Sequence, residues 1–104
     1  MGIFDFLKSG KKQQLSDALA DGALIVDVRS ASEFSSGHVT GSSNIPLEKV
    51  GSHFKKWQQD NETIIFCCAS GIRSGKAANQ ARSAGITALN GGGWVSLRKV
   101  VSIV

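Results

Sequence analysis

This sequence has few cysteines and prolines, no long apolar run and no pattern of a signal peptide. There are two cysteines and one proline among 104 residues. Cys67 and Cys68 are neighbours, so they cannot join distant parts of the chain by a disulfide in the usual way. No apolar run approaches the ~20 residues of a membrane-spanning helix. The first seven residues, MGIFDFL, have no basic segment and no small-residue cleavage site, which argues against a signal peptide. We therefore expect a cytoplasmic location, no membrane contact and a reduced thiol.

Acidic residues are absent after Glu62. Residues 1–62 carry seven Lys/Arg and eight Asp/Glu, a net charge of −1, whereas residues 63–104 carry five Lys/Arg and no acid, a net charge of +5. A basic half attracts small anions, although the same charges also suit a solvated surface. No nucleic-acid binding is predicted, because basic and aromatic residues do not interleave and no known motif is present.

A short loop separates an apolar segment from an alanine-rich one. Residues 63–67 (TIIFC) predict a strand buried on both faces of a parallel sheet, and residues 74–84 predict a helix. Between them lie Cys68 and, five positions later, Arg73. A tight loop at a helix N-terminus aims backbone N–H groups at one point, where the helix dipole adds positive charge. A thiol at that point should ionise readily, and the same donors would hold an anion on its sulfur.

Two cysteines precede Arg73, so the loop has two interpretations. Counted from Cys67 the spacing is C-x5-R, which resembles the cysteine phosphatases. Counted from Cys68 it is C-x4-R, which resembles the rhodanese-type sulfurtransferases. Three arguments favour Cys68. Cys67 lies in the apolar strand, where cysteine usually packs as a small hydrophobic residue. The flanking sequence resembles the rhodanese active-site segment. A phosphatase usually needs an acid for its leaving group, and none follows Glu62.

Further motifs extend the resemblance to the rhodanese family over residues 15–98. Four segments resemble the first conserved block of the family, and one resembles its C-terminal signature. They are, in order, IVDVR at 25–29, EF at 33–34, GHVTG at 37–41, NIPL at 44–47 and GGGW at 91–94. Two loop residues depart from the family pattern, since Ala69 stands where a basic residue is frequent and Ile72 where a polar one is frequent.

The resemblance implies an α/β fold with a central, mostly parallel sheet of about five short strands and helices on both faces. The alternation of apolar strands with helical segments argues for the same class. We place a short N-terminal leader at residues 1–14 and a single rhodanese domain at residues 15–104. The remaining predicted elements are helices at 16–20, 48–58 and from 94 to about 101, and strands at 23–28 and 86–89. A brief helical turn through Ser36 is also predicted, with Ser30 or Ser32 as its cap.

The resemblance also implies the site. Cys68 is the catalytic residue, and the substrate-binding loop consists of Ala69, Ser70, Gly71, Ile72, Arg73 and Ser74. In open α/β sheets ligands bind at the carboxyl ends of the strands, where Asp27 and Arg29 also lie. We expect these two residues to have supporting roles. Asp27 would orient backbone groups or pair with a basic residue, and Arg29 would pair with Glu33 across a helical turn.

The implied activity is that of a thiosulfate sulfurtransferase with a ping-pong mechanism. The Cys68 thiolate takes the outer sulfur of thiosulfate, with release of sulfite, or of another persulfide donor. It passes the sulfur to cyanide or a thiol, with a protein acceptor as a further option. No cofactor is implied, and zinc is disfavoured because adjacent cysteines lack the usual ligand spacing. Two alternatives stay open: a phosphatase or arsenate reductase that uses Cys67, and a non-enzymatic rhodanese-like module that carries sulfur or docks partners.

Overall fold

One parallel sheet organises the chain. A computed structural model describes the backbone of residues 3–103 and the side chains of residues 10–103. The strands are β1 (Leu24–Asp27), β2 (Ser43–Asn44), β3 (Thr63–Cys68) and β4 (Thr87–Gly93), which lie in the order β2-β1-β3-β4. The helices are α1 (Ile3–Ala20), α2 (Ala31–Ser35), a 3₁₀ helix (Leu47–His53), α3 (Phe54–Gln59), α4 (Ile72–Ser83) and α5 (Trp94–Val101).

Helices cover both faces of this sheet. Ile64 and Phe66 of β3 pack in a cluster with side chains of α3 and α4, whereas Ile65 and Cys67 pack in a second cluster with side chains of α1 and α5. Successive residues of a strand point to opposite faces, so β3 is buried on both sides. Each of its large apolar side chains contributes about 2 kcal/mol by leaving water. Cys68 belongs to the first cluster, so the two cysteines lie on opposite sides of the sheet.

The α/β class is confirmed, but the described residues form four strands and not about five. The segment before β1 is helical, because residues 8–20 are mostly good helix formers and include no β-branched residue. α1 therefore begins well before the predicted position 16 and runs through the predicted leader. None of the described helices combines the length and the hydrophobicity needed to cross a bilayer.

Three other elements differ from the sequence prediction, in helix type or by more than one residue at an end. The helix expected at 48–58 is a 3₁₀ segment followed by α3, and Gly51 lies in the 3₁₀ part, where its low helix propensity weakens a continuous α-helix. α4 begins at Ile72, two residues before the predicted start. β4 continues to Gly93, beyond the predicted end at position 89. With these observed bounds, the end of β4 lies next to the start of α4.

Candidate active site

Cys68 ends β3, and α4 begins four residues later. The chain can turn this sharply because Gly71 has φ +100°, a backbone conformation that favours glycine. The loop also lies close to β4. A Cβ added at Gly93 would lie 2.9 Å from the backbone oxygen of Ala69. The absence of a side chain at Gly93 therefore lets the end of β4 pack closely against the loop.

The loop directs hydrogen-bond donors at the sulfur of Cys68. The backbone N–H of Gly71 donates to Sγ at 3.0 Å, and the backbone N–H of Ser74 donates at 3.4 Å. The hydroxyl oxygen of Ser74 lies 3.3 Å from the same sulfur. The N-terminus of α4 adds its partial positive charge at this point. Cys68 is 1% exposed, which restricts its sulfur to small reagents.

The environments of the two thiols shift their pKa values in opposite directions. Burial raises the pKa of Cys68, but hydrogen bonds outweigh that effect, so the pKa of Cys68 is lowered. These bonds come from the Ser74 hydroxyl and from the amides of Ser74, Gly71 and Ser70. Cys67 is wholly buried, and burial followed by the charge of Asp27 raises the pKa of Cys67 to about 12. The two environments favour Cys68 as the nucleophile.

The lowered pKa of Cys68 has a direct test. We expect its alkylation by iodoacetamide to follow a titration whose midpoint lies below the ~8.5 of a free cysteine, because only the thiolate reacts. Peptide mass spectrometry after pulses at increasing pH would give the rate at each cysteine separately. Cys67 in the same folded sample is the internal control and should stay unmodified. A midpoint for Cys68 at or above the free value would contradict the hydrogen-bonded sulfur.

Arg73 ties the end of the loop to α2. Its Nη1 and Nη2 donate to the two carboxylate oxygens of Glu33 at 2.8 and 3.0 Å. The Arg73 side chain, followed by the backbone N–H of Ser30, lowers the pKa of Glu33 to about 2. The guanidinium charge is thus balanced by a carboxylate, whereas the bonds to the sulfur come from backbone amides and Ser74. Glu33 also accepts from Ser30 at the start of α2, so one side chain caps that helix and anchors the loop.

Asp27 and Arg29 form a second, buried ion pair behind the loop. They are 0% and 4% exposed, and Arg29 Nη2 lies 2.7 Å from Asp27 Oδ2. Arg29 also donates to the backbone oxygen of Gly37 and lies 4.8 Å from the ring centre of Trp94. The prediction that Arg29 pairs with the Glu33 carboxylate is wrong, because Arg29 precedes α2 and the one-turn spacing applies only within a helix. Arg29 reaches only the backbone oxygen of Glu33.

Asn90 belongs to the site, although no sequence motif indicated it. It lies in β4, and its side chain contacts both Ser74 and the backbone of Gly71. The missed signal was its place near the carboxyl end of the sheet, opposite Phe66 and close to the strand ends that carry Asp27 and Cys68. The predicted strand ended at position 89, one residue too early to include it.

Other candidate side chains lie outside these contacts. Ala69, Ser70 and Ile72 are exposed, and Ile72 is 70% exposed. The Nδ1 atom of His38 lies 2.8 Å from the backbone oxygen of Phe34, a local contact that gives this histidine a structural role. Within the described side chains, no three His, Cys, Asp or Glu residues group in a way that would hold a metal ion.

Comparison with known proteins assigns the family. Residues 11–97 match the family described as Rhodanese-like domain. The chain belongs to this rhodanese-like family. The solved structures agree: a rhodanese with anions from E. coli has a TM-score of 0.66 and 28% identity, with 72% of this chain and 91% of that chain covered. A rhodanese-like domain protein from Staphylococcus aureus has a TM-score of 0.67 and 27% identity, with 84% and 86% covered.

The curated relatives of this rhodanese-like chain include named sulfurtransferases. Thiosulfate sulfurtransferase 16, chloroplastic, from Arabidopsis thaliana is 41% identical over 86 residues, and the match covers 68% of each protein. An uncharacterized protein, YqhL, from Bacillus subtilis is 37% identical over 65 residues, with 62% of this chain covered. The chain spans 51% of YqhL and about half the length of several other relatives. The relatives that are named as thiosulfate sulfurtransferases thus belong to the same rhodanese-like family as this chain.

Proposed function

We propose that this protein transfers sulfane sulfur from thiosulfate through a persulfide on Cys68. The observation that carries the proposal is the set of polar groups around the Cys68 sulfur, two backbone N–H donors at 3.0 and 3.4 Å and the Ser74 hydroxyl oxygen at 3.3 Å. Donors in this arrangement stabilise a thiolate and would equally stabilise the negative outer sulfur of a persulfide. The names of the thiosulfate sulfurtransferases among the relatives support the same chemistry.

The reaction has two steps. In the first, the Cys68 thiolate attacks the outer sulfur of thiosulfate, a new S–S bond forms, and the bond within thiosulfate breaks with its electron pair leaving on sulfite. In the second, cyanide or a thiolate attacks the outer sulfur of the persulfide, and the Cys68 thiolate leaves with the electron pair. Sulfite leaves as a stable anion, so the first step needs no general acid. A reaction that needs no general acid is compatible with a sequence in which no Asp or Glu follows Glu62.

The environment of Cys67 argues against a phosphatase that uses it. Cys67 lies on the opposite side of the sheet from Cys68, is wholly buried and has its pKa raised to about 12. A buried protonated thiol is a poor nucleophile. The C-x5-R count therefore begins at a residue that the fold keeps away from the loop donors.

Intact-protein mass spectrometry tests the proposed function. The reduced protein incubated with thiosulfate should gain one sulfur atom and lose it on addition of cyanide, with thiocyanate as the product. Cys68→Ser is the control and should gain none. No gain by the wild-type protein would contradict the proposal. Loading by a small-molecule persulfide but not by thiosulfate would favour the sulfur-carrier alternative, and hydrolysis of an aryl phosphate would favour the phosphatase.

The basic half of the chain should help to gather the anionic donor. Lys76 is exposed on α4, one turn after Arg73, and its charge is the best placed to act on an approaching anion. We expect Lys76→Glu to raise the KM for thiosulfate roughly threefold at low salt and to change kcat less, because steering acts on encounter. The effect should fade at high salt, since exposed charges are screened over about 10 Å in ~0.1 M salt.

Steady-state kinetics at two ionic strengths would measure this effect. Lys55→Glu makes the same charge change on α3, which leads into the opposite, amino-terminal edge of β3, and is the matched control. An unchanged KM for Lys76→Glu at low salt, or an equal rise in both variants, would contradict steering by Lys76.

A further inference from the structure

The carboxamide of Asn90 has an orientation that its neighbours determine. Its Oδ1 accepts from the backbone N–H of Gly92 at 2.9 Å and lies 2.7 Å from the Ser74 hydroxyl oxygen. Its Nδ2 donates to the backbone oxygen of Gly71 at 3.0 Å. A backbone N–H can only donate and a carbonyl oxygen can only accept. These two peptide groups place the oxygen of Asn90 against Ser74, so the Ser74 hydroxyl must be the donor in that contact.

This contact uses the only hydrogen of the Ser74 hydroxyl. While that hydrogen is on Asn90, the oxygen of Ser74 can only accept from the S–H of a protonated Cys68, 3.3 Å away. A thiolate or a persulfide anion has no hydrogen to offer. The hydroxyl then has to turn away from Asn90 in order to donate to the sulfur. The contact that Ser74 makes with Asn90 therefore competes with the contact that stabilises the anion.

We propose that Asn90 is a positioning residue for Cys68, which holds the Gly71 peptide and competes with the sulfur for the Ser74 hydroxyl. This role rests on the proposed sulfur chemistry at Cys68. Asn90 acts on the sulfur only through Gly71 and Ser74. The Nδ2 bond keeps the Gly71 peptide in the orientation that directs its N–H at Sγ. The Oδ1 bond sets how readily Ser74 supports the anion. The part of the Asn90 effect that acts through Oδ1 must therefore depend on the presence of the Ser74 hydroxyl, whereas the part that acts through the Gly71 peptide remains without it.

A double-mutant cycle on Asn90 and Ser74 tests this dependence, with the rate of Cys68 alkylation against pH as the readout. Asn90→Asp holds the hydroxyl more tightly, because a carboxylate is the stronger acceptor, and it loses the donor to Gly71. We expect alkylation at neutral pH to be about tenfold slower in Asn90→Asp, because a smaller fraction of Cys68 is thiolate. With Ser74→Ala already present, the same change should slow alkylation by less than about threefold.

Two further variants separate the positioning role of Asn90 from the effect of an added charge. Asn79→Asp adds the same charge on the exposed face of α4 and should leave the alkylation rate within about twofold. Asn90→Ala introduces no charge and gives a second cycle. In this second cycle, the factor by which Ser74→Ala changes the alkylation rate of Cys68 should differ between the protein with Asn90 and the Asn90→Ala variant. Equal slowing by Asn90→Asp in both backgrounds, or equal factors in the second cycle, would overturn the role of Asn90.

The readout also separates this inference from the proposed function, because alkylation requires no sulfur donor. Sulfur uptake from thiosulfate together with additive cycles would overturn the role of Asn90 and keep the proposed function. Coupled cycles together with no sulfur uptake would overturn the proposed function and keep Asn90 as a positioning residue for the Cys68 thiol.

Discussion

Cys68→Ser is expected to reduce the transfer of sulfur from thiosulfate to cyanide by more than about a thousandfold, because a serine hydroxyl forms no persulfide. Thiocyanate formation under steady-state conditions would measure the loss. The variant should fold, since the change replaces one sulfur by oxygen at a position that already receives hydrogen bonds from Gly71 and Ser74.

Cys67→Ala is the matched control for this experiment. Its buried side chain packs among apolar groups, where alanine leaves a small cavity and no unpaired polar atom. This variant should retain most of the activity and lose only some stability. An inactive Cys67→Ala beside an active Cys68→Ser would contradict the C-x4-R assignment and favour the C-x5-R phosphatase instead.

Asp27→Ala should cause the largest loss of stability, about 3–5 kcal/mol in the free energy of unfolding. The reason is that Arg29 would stay buried without its carboxylate partner, 2.7 Å away in the native protein. Urea unfolding followed by tryptophan fluorescence would measure the loss. Asp60→Ala is the comparison, because it breaks an ion pair with Lys56 whose side chains are 76% and 44% exposed. That pair should contribute less than about 1 kcal/mol, and equal losses in the two variants would contradict a buried, structural role for Asp27.

The sequence was sufficient to predict the parts of the site that depend on neighbouring residues. The apolar segment at residues 63–67 needed burial on both faces, and this alone implied a central parallel strand directly before Cys68. In the structure β3 extends one residue further and ends at Cys68. The loop could be predicted because a strand, six residues and a helix start leave few paths for the backbone. Ser30 was one of two serines expected to cap α2, and it does so with Glu33 in a reciprocal capping arrangement.

The parts that could not be predicted depend on residues far apart in the chain. Arg73 and Glu33 are 40 positions apart, and nothing local to either residue indicates the other. The local rule instead suggested Arg29 as the partner of Glu33, and that pairing is wrong. Asn90 was missed for a similar reason, because its role follows from the register that sets the end of β4 beside Cys68. Four strands form in the described residues, and the fifth was an expectation from the family with no matching strand pattern in this chain.

The loop separates the groups that hold the sulfur from the groups that face outward. The sulfur is held by main-chain amides and by the buried Ser74, whereas the side chains of Ala69 and Ile72 are exposed. Every residue except proline supplies the same amide, so the outward positions can be exchanged without changing the donors on the sulfur. Such a loop is suited to divergence and to redesign. If Cys68 carries the proposed chemistry, we expect substitutions at positions 69 and 72 to change which small molecules reach the sulfur and to leave its hydrogen-bond donors in place.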